Sequence, residues 1–251
     1  MCCFSPLAPL GLFGGLFAPT FKVAGTRIFA RHEDAGTQLL AYAMRLTTPS
    51  PVAMILPLPT RPSDGEGALA FIDLSARPRF FDDLEKLFQP PPRKGGFQGI
   101  APQARTLTVH KVGAFEASFV PSVDDFDRLD PRFRLPVATW NEVPDARDGG
   151  FAVFQLDAGS DLAVHPMAFR FRSRRPGELF FPTVHVHDGK VHSTANFDHT
   201  LYLQAPTEHA GFEVSFGLTE DDAGGLLVPG ATVARRSIQG THPNRDTWVA
   251  A

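Results

Sequence analysis

Four of the nine histidines lie close together in the stretch FFPTVHVHDGKVHSTANFDHTLY, which runs from Phe180 to Tyr202. Imidazole nitrogen is the commonest protein ligand for metals and suits zinc, copper and iron. His185, His187, His192 and His199 are therefore candidate ligands for a transition metal, with zinc, copper or iron as the candidate ions. The residue types leave open whether such a metal would be catalytic, structural or stored.

The local pattern predicts a β-hairpin that brings three of these histidines together. Two β-like runs, VHVH and KVH, flank Asp188–Gly189, and Asp-Gly is a strong signal for a type I′ turn because both central residues need positive φ. With this two-residue loop, His185 pairs with His192 and His187 pairs with Lys190. Alternate residues of a strand share a face, so three imidazoles would converge, and the next strand would bring the fourth.

A hairpin that bears histidines does not require a metal. A loop longer by one residue would move His192 to the opposite face, and the charge of Lys190 would repel a cation. Solvated or hydrogen-bonded histidines therefore remain the alternative. If three neutral imidazoles do hold a metal with an open position, a hydrolytic enzyme or an oxygen-dependent enzyme would fit, depending on the ion.

The N-terminal cysteine is a second candidate site. If Met1 is removed, the amine of Cys2 can serve as the base for its own thiol, as in N-terminal-nucleophile hydrolases. The MC start followed by FAR (Phe29–Arg31) resembles the bile-salt hydrolase group of that family, and the resemblance implies that Arg31 is a site residue. Alternatively, Cys2 and Cys3 are soft metal ligands, alone or with the histidines, or two reduced thiols on a flexible terminus.

Composition and charge exclude several function classes. The net charge is −3 and the pI about 6.3, without a basic stripe, so we expect no nucleic-acid partner. No apolar run reaches the about 18 residues that a membrane span requires. Two adjacent cysteines cannot build a disulfide framework. We predict a cytoplasmic protein, for which a small-molecule ligand is compatible and no oligomeric state is predicted.

Short β-like segments recur between turn signals along the 251 residues. Their number predicts a single, mainly β domain, a sandwich or a distorted barrel with two or three short covering helices. The strand predictions are Phe21–Ala30, Gln38–Leu46, Val52–Leu58, Leu69–Leu74, Leu107–Val112, Ala114–Val120, Phe151–Leu156, Ala163–Phe171, Leu179–His187, Lys190–Thr194, Thr200–Gln204, Phe212–Phe216 and Leu226–Val233.

Two patterns predict the covering helices, RFFDDLEKLF and SVDDFDRL, the second with Ser122 as N-cap and Asp125 at capping-box spacing. The segment Gln89–Gly99, rich in proline and glycine, is a loop or a linker. The 23 phenylalanines predict a thick apolar interior. If many were exposed instead, they would suit a non-catalytic binding or assembly module.

The N-terminal part carries a further resemblance. TRIFARHEDAGTQLLAYAMRL followed by VAMILPLP, which ends in Pro57–Leu58–Pro59, resembles the N-terminal part of certain bacterial proteins of unknown function. In those proteins, two strands lead into an apolar strand that ends in Pro-x-Pro. The resemblance implies a β-rich fold and no particular activity.

Overall fold

The computed structural model describes residues 2–6, 22–90, 116–129, 140, 143, 146–186, 190–206 and 208–250. Its strands are β1 (Cys2–Pro6), β2 (Lys22–His32), β3 (Thr37–Thr48), β4 (Val52–Leu58), β5 (Leu69–Ile72), β6 (Ala117–Val120), β7 (Gly150–Leu156), β8 (Gly159–Ala163), β9 (Met167–Arg172), β10 (Glu178–Phe181), β11 (His185–Val186), β12 (Thr194–Gln204), β13 (Glu213–Val214), β14 (Ala234–Pro243) and β15 (Thr247–Ala250). Helix α1 (Phe80–Lys86) and 3₁₀ helices at Pro62–Ala68, Val123–Arg128 and Ala146–Asp148 accompany them within these described ranges.

The strands form two large sheets and one small one. The first sheet has the order β11-β1-β4-β7-β6, and the second has the order β13-β14-β12-β2-β3-β9-β5, with β8 also paired to β3. A two-stranded sheet joins β10 to β15. Most neighbours are antiparallel, but β1 pairs with β11 and β2 pairs with β12 in parallel. In both parallel pairs, a strand from the start of the chain meets one from its last third.

The two large sheets pack face to face around the main core. Strands β2 and β3 contribute Ile28 and Tyr42, both fully buried, and β9 contributes Phe169. Met54 and Phe154 face them from the first sheet. The strands alternate so that one set of side chains enters this layer, which is the arrangement of a β-sandwich. The predicted fold class is confirmed.

Both outer faces are also covered. Helix α1 lays Phe81 and Leu84 on the outer face of the second sheet, where they pack with Tyr202 and Phe29. On the outer face of the first sheet, Phe126 from the second 3₁₀ helix joins Trp140 and Phe151 in an aromatic cluster. The phenylalanines of the described residues are therefore mainly core residues, and only Phe71 and Phe216 among them are strongly exposed.

Helix α1 is anchored to β12 by a partly buried hydrogen bond, in which the hydroxyl of Tyr202 donates to Glu85 Oε2 over 2.7 Å. Burial is the main reason that the pKa of Tyr202 lies above its ordinary value of 10.0, and the bond to Glu85 raises it further. The folded chain keeps this proton at a pH where the unfolded chain releases it. The stability that depends on it is complete below pH about 10 and is lost as the pH rises further.

Tyr202→Phe should therefore have two measurable effects. At pH 7 we expect the free energy of unfolding to fall by about 0.5–1.5 kcal/mol, because one hydrogen bond is lost. Between pH about 10 and 12 we expect the variant's stability to decline less steeply than that of the wild type. Urea unfolding at a series of pH values measures both effects, and equal alkaline slopes in the two proteins would contradict the second.

Several element predictions need correction. Ala163–Phe171 is not one strand: Ala163 ends β8 and Met167 begins β9, because residues 164–166, which include Pro166, form no strand. Lys190–Thr194 is no strand before Thr194, and Leu226–Val233 is a series of turns in which the Leu227 amide donates to Asp222 O over 2.8 Å. Strands β14 and β15 were not predicted. Leu107–Val112 and most of Gln89–Gly99 lie outside the described residues.

Both predicted helices are present, but the second is a 3₁₀ helix rather than an α-helix. Its Ser122 makes no N-cap bond to a backbone amide, and its hydroxyl donates instead to Asp125 Oδ2 over 2.7 Å. None of the helices in the described part of the chain is long and apolar enough to cross a membrane.

Candidate metal centre

His185 lies on β11 at the edge of the first sheet. Its backbone pairs with Cys2 of β1 in parallel register. On the other side, the side chain of Asn244 hydrogen-bonds to both backbone groups of His185. The His185 amide donates to Asn244 Oδ1 over 2.7 Å, and Asn244 Nδ2 donates to the His185 carbonyl over 2.9 Å. The short strand therefore has a defined position although it is only two residues long.

His199 lies on β12, the strand of the second sheet between β2 and β14, and its side chain is only 1% exposed. Alternate residues of β12 share a face, so His199 projects with Leu201, a residue of the core between the sheets. Its Nε2 lies 3.2 Å from Nε2 of His185. The two imidazoles thus meet across the gap between the two large sheets.

Phe197 packs against both imidazoles. Its ring centroid lies 4.7 Å from that of His185 and 5.2 Å from that of His199, and the two imidazole centroids are 4.8 Å apart. Phe197 is itself 3% exposed. An aromatic ring packed against both partners restricts their rotation, so the meeting of the two Nε2 atoms is built into the packing.

The predicted hairpin is wrong in its pairing. β11 pairs with β1, and residues 190–193 form no strand, so the predicted pairs of His185 with His192 and of Val186 with Val191 are not present. The physical reason is that other partners hydrogen-bond to the backbone of β11. Strand β1 pairs with one side of it. On the other side, Asn244 Nδ2 donates to the carbonyls of His185, over 2.9 Å, and of His192, over 3.0 Å.

The four predicted ligands therefore do not all come together in the described part of the structure. His185 and His199 come together, whereas His192 has an exposed side chain. His187, like the Asp188–Gly189 turn, lies outside the described residues. Within the residues that the structure describes, no three histidine, cysteine, aspartate or glutamate side chains group as a metal site.

The separation of the two imidazoles fits a shared tetrahedral ion. Two nitrogens bound to one zinc at about 2.0–2.1 Å, at a tetrahedral angle, would be about 3.3 Å apart. The observed 3.2 Å is close to that separation. The same distance fits a hydrogen bond from one neutral imidazole to the other. The pair can therefore supply two ligands of a metal or form a bridge between the sheets.

The other candidate pair, Cys2 and Arg31, is divided between the sheets. Cys2 begins β1 in the first sheet, and Arg31 lies near the end of β2 in the second. The Arg31 guanidinium donates to the carbonyls of Leu226, over 2.5 Å, and of Gly225, over 2.7 Å. Burial lowers the pKa of Arg31, and these bonds use its donors to fix the neighbouring turn.

Two residues that support the histidine pair were not identified from the sequence. Asn244 holds the backbone of His185 through two hydrogen bonds and that of His192 through a third, and Phe197 packs against both rings. The sequence offers only a weak signal for either. Phe197 stands two residues before His199 and so shares its face if the segment is a strand. Asn244 follows a proline in a turn, where asparagine is common for reasons of local geometry.

Comparison with known proteins adds information about the fold. No protein-family model and no curated protein matches the sequence. Among solved structures, that of baculovirus P35 is similar over 92% of this chain and 97% of its own, with 13% identity and a TM-score of 0.50. P35 after caspase cleavage (12% identity, TM-score 0.46, 91% and 100% of the two chains) and P35 in a caspase-8 complex (12%, 0.43, 91% and 96%) are also similar. At these identities the likeness shows the fold alone.

Proposed function

We propose that this protein binds a transition metal ion through Nε2 of His185 and Nε2 of His199. The observation that carries the proposal is the 3.2 Å between these atoms, which suits two ligands of one tetrahedral ion. Both residues are held from outside the pair, His185 by Asn244 and both rings by Phe197. Such support around the ligands is typical of metal sites, where it fixes ring orientation.

Two residues are candidates for the third ligand. His187 follows His185 by two positions and would share its face if the strand continued beyond Val186. Cys2 pairs with His185 in the backbone register of β1 and β11, which favours a mixed thiolate and imidazole site. Zinc and copper accept either set, whereas iron favours imidazole in a mononuclear site. Reduced thiols of this kind suit the cytoplasm, where we expect the protein to act.

Metal analysis of the untagged protein tests the proposal. We expect close to one zinc, copper or iron per chain, with at least a tenfold loss of bound metal in His185→Ala and in His199→Ala. His32→Ala is the matched control, because His32 Nε2 lies 3.3 Å from the carbonyl of Glu178 and away from the pair. If the wild type takes up no ion after incubation with each metal, the two imidazoles form a hydrogen bond and the proposal fails.

Cobalt substitution identifies the third ligand. A thiolate bound to Co²⁺ gives intense near-ultraviolet absorption, whereas an all-imidazole site lacks this band. We expect Cys2→Ser to abolish the band if Cys2 is a ligand, and His187→Ala to lower metal affinity if His187 is. A site that keeps full affinity in both variants would exclude both residues as third ligands. Whether the bound metal is catalytic depends on an open coordination position, where it would lower the pKa of a bound water.

A further inference from the structure

A groove of about 570 Å³ lies along β14, beside the histidine pair. The face of β12 that carries Phe197, His199 and Leu201 continues onto β14, where these residues lie opposite Gly240, Ile238 and Arg236, respectively. Directly opposed residues project to the same side of a sheet. The groove is therefore formed where this inner face extends to the edge of the sandwich, with Phe197 separating it from the two imidazoles.

Two arginines line this groove, Arg236 from β14 and Arg245 from the turn before β15. Neither forms an ion pair with any acidic side chain of the described residues. The neighbouring Arg235 is different: its guanidinium contacts the carboxylates of both Glu85 and Glu213 and packs on the ring of Phe88. The groove thus holds two cations whose charge is not balanced by nearby carboxylates.

Arg236 is the better positioned of the two. Its Cζ lies 4.9 Å from the ring centroid of Phe212, and this contact holds the guanidinium in place. Its Nε is buried without a hydrogen-bond partner in the part of the chain that the structure describes. Buried polar groups nearly always have such a partner, but no acceptor of the described residues compensates the buried part of this guanidinium. Burial lowers the pKa of Arg236, but a guanidinium stays charged near neutral pH.

The acid nearest in sequence is used elsewhere. Asp246 follows Arg245, but its Oδ1 accepts from the amides of Thr183, over 2.8 Å, and Val184, over 3.0 Å. A neutral donor also lines the groove, the hydroxyl of Thr247, whereas Nε2 of His242 donates to the carbonyl of Gln239 over 2.8 Å. Positive charge combined with a neutral donor suits an oxyanion, and the groove has the volume of a small-molecule site.

We propose that this groove binds a small molecule that carries a phosphate group, with Arg236 and Arg245 as the residues that bind the phosphate. A phosphate monoester carries about −1.5 to −2 charges at pH 7, which matches two guanidinium groups better than a carboxylate does. Arginine binds phosphate through two parallel hydrogen bonds from its planar guanidinium, and Arg236 and Arg245 both line the groove. The site requires no metal and stands independently of the proposed metal centre.

Calorimetric titration of the chelator-treated protein with phenyl phosphate, at low ionic strength, tests the proposal. We expect saturable binding that weakens with added salt. Arg236→Gln and Arg245→Gln should each weaken it at least tenfold. Arg235→Gln is the matched control, since it removes an equal charge from the same strand but from the opposite face, and should change the affinity less than threefold.

Benzoate serves as a carboxylate of similar size, and we expect it to bind at least tenfold more weakly than phenyl phosphate. Equal binding of both ligands would overturn the assignment to phosphate. Absence of saturable binding, or an equal loss in Arg235→Gln and Arg245→Gln, would overturn the site itself. Arg245 is exposed, so its substitution leaves the fold intact and keeps the test valid if Arg236→Gln disturbs packing on Phe212. Because the titration is done without metal, its failure leaves the metal proposal unaffected.

Discussion

Phe154→Ala should lower the free energy of unfolding by about 3–5 kcal/mol, the usual cost of removing a buried phenylalanine side chain from a core. Phe154 lies on β7 with 2% of its surface exposed, between the two large sheets. Its ring centroid lies 5.7 Å from that of Phe71 and 6.2 Å from that of Phe169. The cavity would open in the layer that joins the sheets, where neither sheet can collapse without moving its strands.

Urea unfolding measures this effect, and thermal unfolding should show a fall in Tm of about 2–4 °C for each kcal/mol. The matched control is Phe71→Ala. Phe71 touches the same ring but is 41% exposed, so its loss should cost only about 1 kcal/mol. If both substitutions cost the same, the packing between the sheets contributes less than the structure indicates.

Asn244→Ala should have the second large effect, a fall of about 2–4 kcal/mol in the free energy of unfolding, and should also abolish metal uptake at the proposed site. The side chain is 7% exposed and makes three hydrogen bonds, to both backbone groups of His185 and to the carbonyl of His192. Each bond contributes about 1 kcal/mol, and unsatisfied backbone groups add a further cost. Without these bonds, His185 is held only by the pairing of β11 with β1 and by the packing of Phe197.

Asn196→Ala is the control for this substitution. Asn196 lies on β12 close to the same region, but it is exposed, so we expect a change within about 0.5 kcal/mol and unchanged metal content. Unfolding curves and metal analysis on the same preparations give both readouts. An Asn244→Ala protein that is destabilised but keeps its metal would show that Phe197 and β1 alone position His185.

The sequence predicts the elements whose signals are local. Val52–Leu58 was predicted with the limits that β4 has, because a continuous apolar run between turn residues is recognisable on its own. The first helix was recognisable from its apolar stripe, which the structure places on the outer face of the second sheet. Strand β14 was not predicted, because ARRSIQGTHP lies at the margin of the sheet, where few side chains need to be apolar.

The candidate site was predictable only in part, because its geometry depends on strands that are far apart in the sequence. The histidines drew attention to the correct stretch, and two of the four come together. The position of His185, however, is set by strand pairing over a long sequence distance, because β11 pairs with β1 rather than with Lys190–His192. The Asp-Gly signal contains no information about whether β1 or Lys190–His192 becomes the neighbour of β11. A hairpin signal describes what a segment would do alone. The resemblance of the N-terminal part to bacterial proteins and the role of Cys2 stay predictions.

The two parallel strand pairs have a consequence for how the chain is made. Among the described strands, β1 and β2 are synthesised before the others, and one neighbour of each follows soon after, β4 and β3, respectively. Their other neighbours, paired as Cys2 with His185 and Thr26 with His199, are synthesised much later. A nascent chain that ends before Val186 therefore carries two open strand edges of the kind that pair with other chains. Neither large sheet can be completed during most of translation, and closure of both depends on the same stretch of histidines.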